Sequence, residues 1–206
     1  MSEKHIIGSI EELEALYGAP SPNSLAKETG HITPHYRMMI EASPFVVLST
    51  VGPEGTDCSP RGDPPGFVRV IDETTVAMPD RRGNNRIDSL RNIVRDPRVS
   101  LLFLVPGMGE TLRINGRATL STDPDLLESF AMDGKQPQSV IMVSVGSVYF
   151  QCQKALARSK LWDPETRIDR TSMPTAGDMI KGLTADGFDG AAYDAAYPER
   201  MKRTIY

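Results

Sequence analysis

The stretch from Phe45 to Asp72 reads FVVLSTVGPEGTDCSPRGDPPGFVRVID, and its pattern predicts antiparallel strands joined by short turns. FVVLSTV is a β-branched apolar run, GPEG is typical of a turn, and TDCSPRG and GFVRVID alternate in the manner of strands. A turn at Asp72-Glu73 then leads into another strand, TTVAMP. These short connections indicate a meander rather than a regular alternation of strand and helix.

Further strands are predicted after the meander, in VSLLFLV, TLRINGRATLS and SVIMVSVGSVYFQC. The total is then six or seven strands with helices at the periphery. Strands joined mostly by tight turns favour an antiparallel barrel over a doubly wound sheet. We therefore predict a mainly β fold, an antiparallel β-barrel with N-terminal helices and a C-terminal arm.

Four helices are predicted around these strands from capping signals and periodicity. Ser9 followed by Glu12 fits a capping box, and Gly18 ends that first helix. Thr33 followed by Pro34 predicts the start of a second helix. A third is expected to begin near Asn85, because apolar residues recur at helical spacing after it, and a short fourth spans residues 123–130.

The chain has 206 residues, for which one domain is the default. We divide it into an N-terminal helical segment packed on the barrel (1–43), the barrel itself (44–162) and a C-terminal arm (163–206). The arm is rich in Asp, Gly, Ala and Pro and lacks apolar periodicity, so we expect it to wrap the surface or contact a partner.

Composition argues against several classes of function. The chain has 23 Lys and Arg against 27 Asp and Glu, which gives no general attraction for nucleic acid. It has no uninterrupted run of about 18 apolar residues, so we expect no membrane span and a cytoplasmic protein. Cys58 and Cys152 lie far apart, and all three histidines precede the barrel, so neither a metal site nor a catalytic triad is predicted.

Positive charge is concentrated in one place, MPDRRGNNRIDSLRNI, residues 78–93. A turn at Gly83 followed by the start of a helix would present free N–H groups, and arginines beside them could complete a phosphate site. The alternative is a solvated helix face on which the arginines from 86 to 95 pair with Asp88 and Asp96. Arg61 in the earlier turn SPRGD could converge on the same place, or could pair with Asp63.

The order of these features resembles the FMN-binding split-barrel family of pyridoxamine 5'-phosphate oxidase-like proteins. The resemblance covers about residues 44–162 and is densest in TTVAMPDRRGNNRIDSLRNIVRDPRVSLLFLVPG. The motifs SPRGD, PDRRGNNR, PGMGETLRINGRA and ALARSKLW are similar to a branch assigned as FMN-dependent enzymes. This branch is distinct from the true vitamin oxidases, whose C-terminal signature contains a histidine that is absent after Trp162 here.

The resemblance implies a set of FMN-binding residues. The basic positions would hold the phosphate, neighbouring backbone would run along the flavin ring, and a segment near Trp162 would cover the cofactor from a second subunit. The residues implied are Arg61, Phe67, Val68, Met78, Pro79, Asp80, Arg81, Asn84, Asn85, Arg86, Arg158, Ser159 and Trp162.

The function implied by the resemblance is an FMN-dependent oxidoreductase that works as a homodimer on a small organic molecule or a reduced nicotinamide. The cofactor would carry the chemistry, since no catalytic side chain stands out. A flavin carrier or sensor without turnover is the alternative. Related split barrels also bind haem or a deazaflavin, so both remain open as ligands in place of FMN.

Overall fold

Seven antiparallel strands form a single sheet in the computed structural model of the chain, which describes residues 5–184 and 187–206. Their order across the sheet is β2-β1-β5-β6-β7-β4-β3. The strands are β1 (Phe45–Gly52), β2 (Gly55–Gly62), β3 (Arg69–Asp72), β4 (Thr75–Asp80), β5 (Arg98–Leu104), β6 (Thr111–Ser121) and β7 (Ser139–Gln151). The mainly β fold with peripheral helices is therefore confirmed, and it is consistent with a split barrel.

The meander begins with a hairpin in which β1 and β2 pair from Phe45 opposite Gly62 to Gly52 opposite Gly55. Alternate residues of β1, including Val46 and Leu48, are fully buried, as the period of a half-buried strand requires. β3 is shorter than the predicted strand GFVRVID. Its first residues form a turn instead, in which the N–H of Phe67 donates to the carbonyl of Pro64 at 3.2 Å.

The core lies between the inner faces of the curved sheet. Leu48 on β1, Leu101 on β5, Ile114 on β6 and Val148 on β7 are fully buried and belong to one apolar cluster. Complete burial of such side chains contributes about 1.5–3 kcal/mol each. The same cluster holds the strand ends in place around the candidate site.

Eight α-helices surround the sheet in the part of the chain that the structure describes, and three of them precede it. They are α1 (Ile10–Tyr17), α2 (Pro22–Ala26), α3 (Pro34–Ala42), α4 (Asp88–Arg95), α5 (Pro124–Ser129), α6 (Lys154–Ser159), α7 (Ala176–Leu183) and α8 (Gly190–Thr204). None of these helices, within residues 5–184 and 187–206, is long and apolar enough to cross a membrane.

The predicted helix starts at Ser9 and Thr33 are confirmed. The Ser9 hydroxyl accepts from the N–H of Glu12 at 3.2 Å, while the Glu12 carboxylate accepts from Gly8 at 2.8 Å. Thr33 caps α3, which packs on the sheet through buried Tyr36 and Ile40. In contrast, α1 buries no side chain in the single chain.

The helix after the basic loop begins later than predicted, at Asp88 rather than near Asn85. Asn85 and Ile87 both have positive φ, at 59° and 54°, so the chain turns twice before the helix begins. A left-handed conformation suits Asn but is unusual for a β-branched residue. The helix then ends before Asp96, as predicted.

The C-terminal arm contains more regular structure than its composition indicated. Helix α7 has a capping box formed by Thr175 and Asp178, and α8 runs for 15 residues despite an internal Pro198. Two short 3₁₀ segments, Pro164–Thr166 and Arg170–Ser172, precede them. The helices were missed because α8 gains stability from packing on α7, which a search for apolar periodicity does not detect.

Candidate functional site

A cleft of about 670 Å³ lies where the ends of β2 and β4 meet the basic loop. This volume is in the range of pockets that hold a small molecule or cofactor. The lining combines charged, amide and apolar groups from four segments. The lining residues are Ser59, Pro60, Arg61, Gly62, Asp63, Pro64, Phe67, Pro79, Asp80, Arg81, Arg82, Gly83, Asn84, Asn85, Ile87, Leu90, Gln138, Ile205 and Tyr206.

The cleft exists because the sheet curls until two distant strands meet. Four strands separate β2 from β4 in the sheet order, yet Arg61 on β2 forms an ion pair with Asp80 at the end of β4. The Arg61 and Asp80 side chains are only 18% and 13% exposed, so water screens this pair weakly. The alternative pairing of Arg61 with Asp63 was wrong, because Asp63 faces a different arginine.

Arg81 is fixed in the cleft wall by groups on two sides. Its Nε donates to Asp63 Oδ2 at 2.7 Å, and its Nη1 donates to the carbonyl of Phe130 at 2.6 Å. The Asp63 side chain is 2% exposed, which makes the Arg81 pair the more deeply buried of the two. Burial penalises an unpaired charge heavily, so Arg81 and Asp63 hold each other in one geometry.

One nitrogen of Arg61 and the whole side chain of Arg82 have no acceptor among the described residues. The Nε of Arg61 is buried and makes no hydrogen bond, although another nitrogen of the same guanidinium binds Asp80. Arg82 lines the cleft with an exposed side chain and makes no ion pair within residues 5–184 and 187–206. A buried donor without a partner needs an explanation, and an anionic ligand would supply the acceptor.

A smaller recess of about 340 Å³ adjoins the cleft. Arg81, Arg82, Asn85, Gln138 and Tyr206 line both spaces. The recess adds a third cation, Lys135, and has no carboxylate side chain in its lining. The net charge of the lining side chains is therefore more positive in the recess than in the cleft. We call the region formed by Arg81, Arg82 and Lys135 the basic corner.

The Tyr206 side chain completes the corner. Its hydroxyl donates to Asp63 Oδ1 at 2.7 Å, and its ring centroid lies 5.5 Å from the Arg81 guanidinium carbon. The hydrogen bond to Asp63 raises the pKa of the Tyr206 phenol, and burial and the negative charge of Asp63 act in the same direction. The bond therefore needs the protonated phenol and is present at neutral pH.

The structure brings together seven of the thirteen sequence-predicted site residues in the cleft lining. They are Arg61, Phe67, Pro79, Asp80, Arg81, Asn84 and Asn85. Val68 and Met78 are fully buried in the core directly beside them in sequence, and neither lines the cleft. The assignment of these residues to a cofactor site stays a prediction.

Arg86 lies outside the cleft. Its side chain is 76% exposed and its Nε donates to Asp88 at 2.8 Å, as the solvated-face interpretation expected. The Asp88 side-chain hydrogen bond and charge raise the pKa of Arg86. The rest of that interpretation was wrong, because Arg95 pairs with Glu54 and Asp96 pairs with Arg98.

Arg158, Ser159 and Trp162 lie away from the cleft of their own chain. The Trp162 indole donates to the carbonyl of Met108 at 2.8 Å, beside the connection between β5 and β6. Ser159 donates to Leu156 within α6. None of the three lines that cleft, and the contribution across a subunit interface that the resemblance implied stays a prediction.

Sequence reasoning missed several residues of the cleft. Arg82 was part of the quoted motif and could have been included, because its neighbour Arg81 was. Gln138 follows Pro137 directly before β7, and no local signal marks it. Ile205 and Tyr206 lie at the far end of the arm, and their position depends on the packing of α8.

A family model supports one assignment for this arrangement. The model of the family described as pyridoxamine 5'-phosphate oxidase matches residues 32–152, which is more than half of the chain. The matched region contains every strand of the sheet. No curated protein matches the chain.

Solved structures with a similar course of the chain share little sequence with it. A variant of the Group A Streptococcus protein HupZ is 19% identical, with a TM-score of 0.47 over 58% of this chain and 99% of that one. A candidate pyridoxamine 5'-phosphate oxidase from Lactobacillus delbrueckii is 20% identical, with a TM-score of 0.46 over 59% of this chain and 95% of that one. General stress protein 26 from Bacillus anthracis is 16% identical, with a TM-score of 0.42 over 55% of this chain and 88% of that one. On the strength of the family match, the chain belongs to the pyridoxamine 5'-phosphate oxidase family.

Proposed function

We propose that the protein is an FMN-dependent oxidoreductase that holds its flavin in the cleft at a homodimer interface. Its substrate is a small organic molecule or a reduced nicotinamide. Family membership supports a flavin-associated protein in general, and the lining of the cleft supports an elongated ligand that carries an anionic group.

The observation that carries this proposal is the buried Nε of Arg61. This N–H donor has no acceptor among the described residues, and it belongs to an arginine that lines the cleft and that Asp80 holds in place. Arg82 adds a cation that no carboxylate of the described chain neutralises. A phosphate group satisfies both residues at once, since arginine binds phosphate through charge-assisted hydrogen bonds.

The remaining residues of the cleft have distinct tasks in this proposal. Asp63 and Asp80 hold Arg81 and Arg61 in position before a ligand arrives, so the two arginines lose little conformational freedom when the ligand binds. Phe67 and Pro79 present apolar surface to a ring system. When bound, FMN would accept a hydride or electrons from the substrate and pass them on.

A homodimer completes the proposed site. In the family resemblance, Arg158, Ser159 and Trp162 would reach the flavin of the partner subunit. The single chain leaves α1 with apolar side chains in solvent: Ile10 is 64% and Leu16 is 67% exposed. Apolar helices without an intrachain contact support burial against another subunit.

Titration of the purified protein with FMN tests the proposal. Quenching of flavin fluorescence reports binding, and anaerobic addition of NADPH or NADH then reports reduction of the bound flavin. The proposal expects saturable binding with one FMN per chain and a dimer in solution. A protein that binds haem or a deazaflavin but takes up no FMN contradicts it, and FMN binding without reduction by any tested donor favours the flavin carrier.

A further inference from the structure

The C-terminal arm reaches the candidate cleft from a distant part of the sequence. Tyr206 and Asp63 are 143 positions apart, yet the Tyr206 hydroxyl donates to Asp63 Oδ1 at 2.7 Å. The carbonyl of Tyr206 accepts a second bond from Lys135 Nζ at 2.9 Å. Both bonds attach the arm to the basic corner, one through the side chain of Tyr206 and the other through its main chain.

The hairpin of α7 and α8 is a stiff support for this attachment. Gly177 donates its N–H to Asp194 Oδ1 at 2.9 Å, and a methyl group at Gly177 would clash with the carbonyl oxygen of Gly190. The two helices therefore approach as closely as glycine allows. Helix α8 spans about 22 Å, and Tyr206 follows two residues after its last residue, Thr204.

Tyr206 lines both the cleft and the recess. Both spaces share Arg81, Arg82, Asn85 and Gln138 as lining, and Tyr206 is the fifth residue common to them. Its ring lies against the Arg81 guanidinium, and its hydroxyl uses the oxygen of Asp63 that Arg81 leaves free. Moving this one side chain would uncover the guanidinium of Arg81.

We propose that Tyr206 is a latch, which closes the arm over the cleft and must open each time the cofactor enters or leaves. This inference rests on the proposed function, because it takes FMN to be the ligand of the cleft. The latch consists of the Tyr206 hydroxyl and the Asp63 carboxylate, and the α7–α8 hairpin returns the ring to the same position. FMN exchange is then limited by opening of the arm.

A latch changes the rate constants of FMN binding in a way that a residue in simple contact with bound FMN does not. Removing the bond to Asp63 lowers the barrier in both directions, so the association and dissociation rate constants both rise while the dissociation constant changes little. A hydrogen bond to a charged group is strong enough for an increase of about tenfold or more in each rate. A residue that only contacts bound FMN would change dissociation and weaken the affinity.

Stopped-flow measurement of FMN fluorescence quenching provides the test, with the full chain in wild-type form and as Y206F, Y206A, G177A and Y197F. Y206F removes the hydroxyl alone, and G177A displaces the hairpin without substituting any residue of the cleft lining. Tyr197 is a matched control, since it lies on α8 with 41% exposure and is not part of the cleft lining. A second readout without FMN is the ultraviolet titration of tyrosines, in which the high-pH step of Tyr206 should disappear in Y206F.

The outcomes separate the two proposals. Faster association and dissociation in Y206F, Y206A and G177A, with Y197F at the wild-type rates, supports the latch. FMN binding with unchanged rates in Y206F and Y206A overturns the latch and leaves the proposed function standing. Absence of FMN binding in every protein overturns the proposed function. If the titration step that Y206F loses then has the ordinary pKa of an exposed tyrosine, the Tyr206–Asp63 contact is overturned as well.

Discussion

The basic stretch from residue 78 to residue 95 has an inner half, residues 78–85, and an outer half, residues 86–95. Arg81 in the inner half is 16% exposed and bound to a carboxylate that is 2% exposed. Arg86 in the outer half is 76% exposed, and its partner Asp88 is 42% exposed. Arginines five positions apart therefore experience very different dielectric surroundings.

The turn between the two halves explains the difference. Asn85 and Ile87 adopt positive φ, which redirects the chain between the cleft and the outer surface of α4. Charge density along the sequence consequently does not measure charge density at the site. Of the arginines in the stretch, only Arg81 and Arg82 line the cleft.

Removal of the buried carboxylate should have the largest effect. Asp63→Ala leaves Arg81 and Tyr206 without their shared partner, and breaking such a buried pair costs about 3 kcal/mol. We expect the free energy of unfolding, measured by urea denaturation, to fall by about that amount. Asp88→Ala, which breaks the exposed pair of Arg86, should leave it within experimental error. Equal losses in the two variants would contradict the distinction between the halves.

The second largest effect should be on the affinity for FMN, which should depend on an arginine of the inner half and not on one of the outer half. Arg82→Ala removes a cation that lines both the cleft and the recess, and a charge-assisted contact of about 1.5–3 kcal/mol predicts an affinity about ten- to a hundredfold weaker. Arg86→Ala should change the affinity less than twofold, since its side chain lies outside the cleft. Fluorescence titration of both variants tests this ordering. A larger effect at Arg86 would move the phosphate site to the outer half.

Sequence alone could predict the elements whose causes are local. The bounds of β6 and the cap of α3 at Thr33 depend on alternation and on one side-chain bond, so the sequence pattern was sufficient. The pairing of Arg61 with Asp80 was not predictable in this way. It depends on how far a seven-stranded sheet curls, which sums the twist of every strand between β2 and β4.

The position of Tyr206 was further still from any local signal. Three conditions must hold together: α8 must fold, it must pack on α7 through Gly177, and its end must meet the basic corner. Composition predicted an arm that contacts something, but the contact depends on tertiary packing. Seven of the nineteen residues that line the cleft were therefore predicted from the motifs, and the partners of its charges were not.

The turn between the halves should respond measurably to one substitution. Ile87 is β-branched and has φ of 54°, a conformation that costs about 1–2 kcal/mol for most residues. Asn tolerates this region, so we expect Ile87→Asn to raise the free energy of unfolding by about 1 kcal/mol. Val94→Asn is the control, because Val94 is exposed within the regular part of α4 and Val and Asn have similar helix propensity, so its stability should change little. A loss of stability in Ile87→Asn would indicate that the Ile87 side chain supports the cleft through its contacts.

The smallest effect concerns the ion pair directly after the outer half, Asp96 with Arg98, and appears only at acid pH. Hydrogen bonds from the Arg98 side chain and backbone lower the pKa of Asp96 to about 2. The pair therefore adds stability above the unfolded pKa of about 3.9, and this contribution is lost as the pH falls through the folded pKa. Arg98→Gln should return the pKa of Asp96 towards its usual range in a carboxyl NMR titration. Arg95→Gln should not, because Arg95 pairs with Glu54. Since Asp96 and Arg98 lie outside the cleft lining, FMN affinity at neutral pH should be the same in both variants, and a change in Arg98→Gln would couple this ion pair to the site.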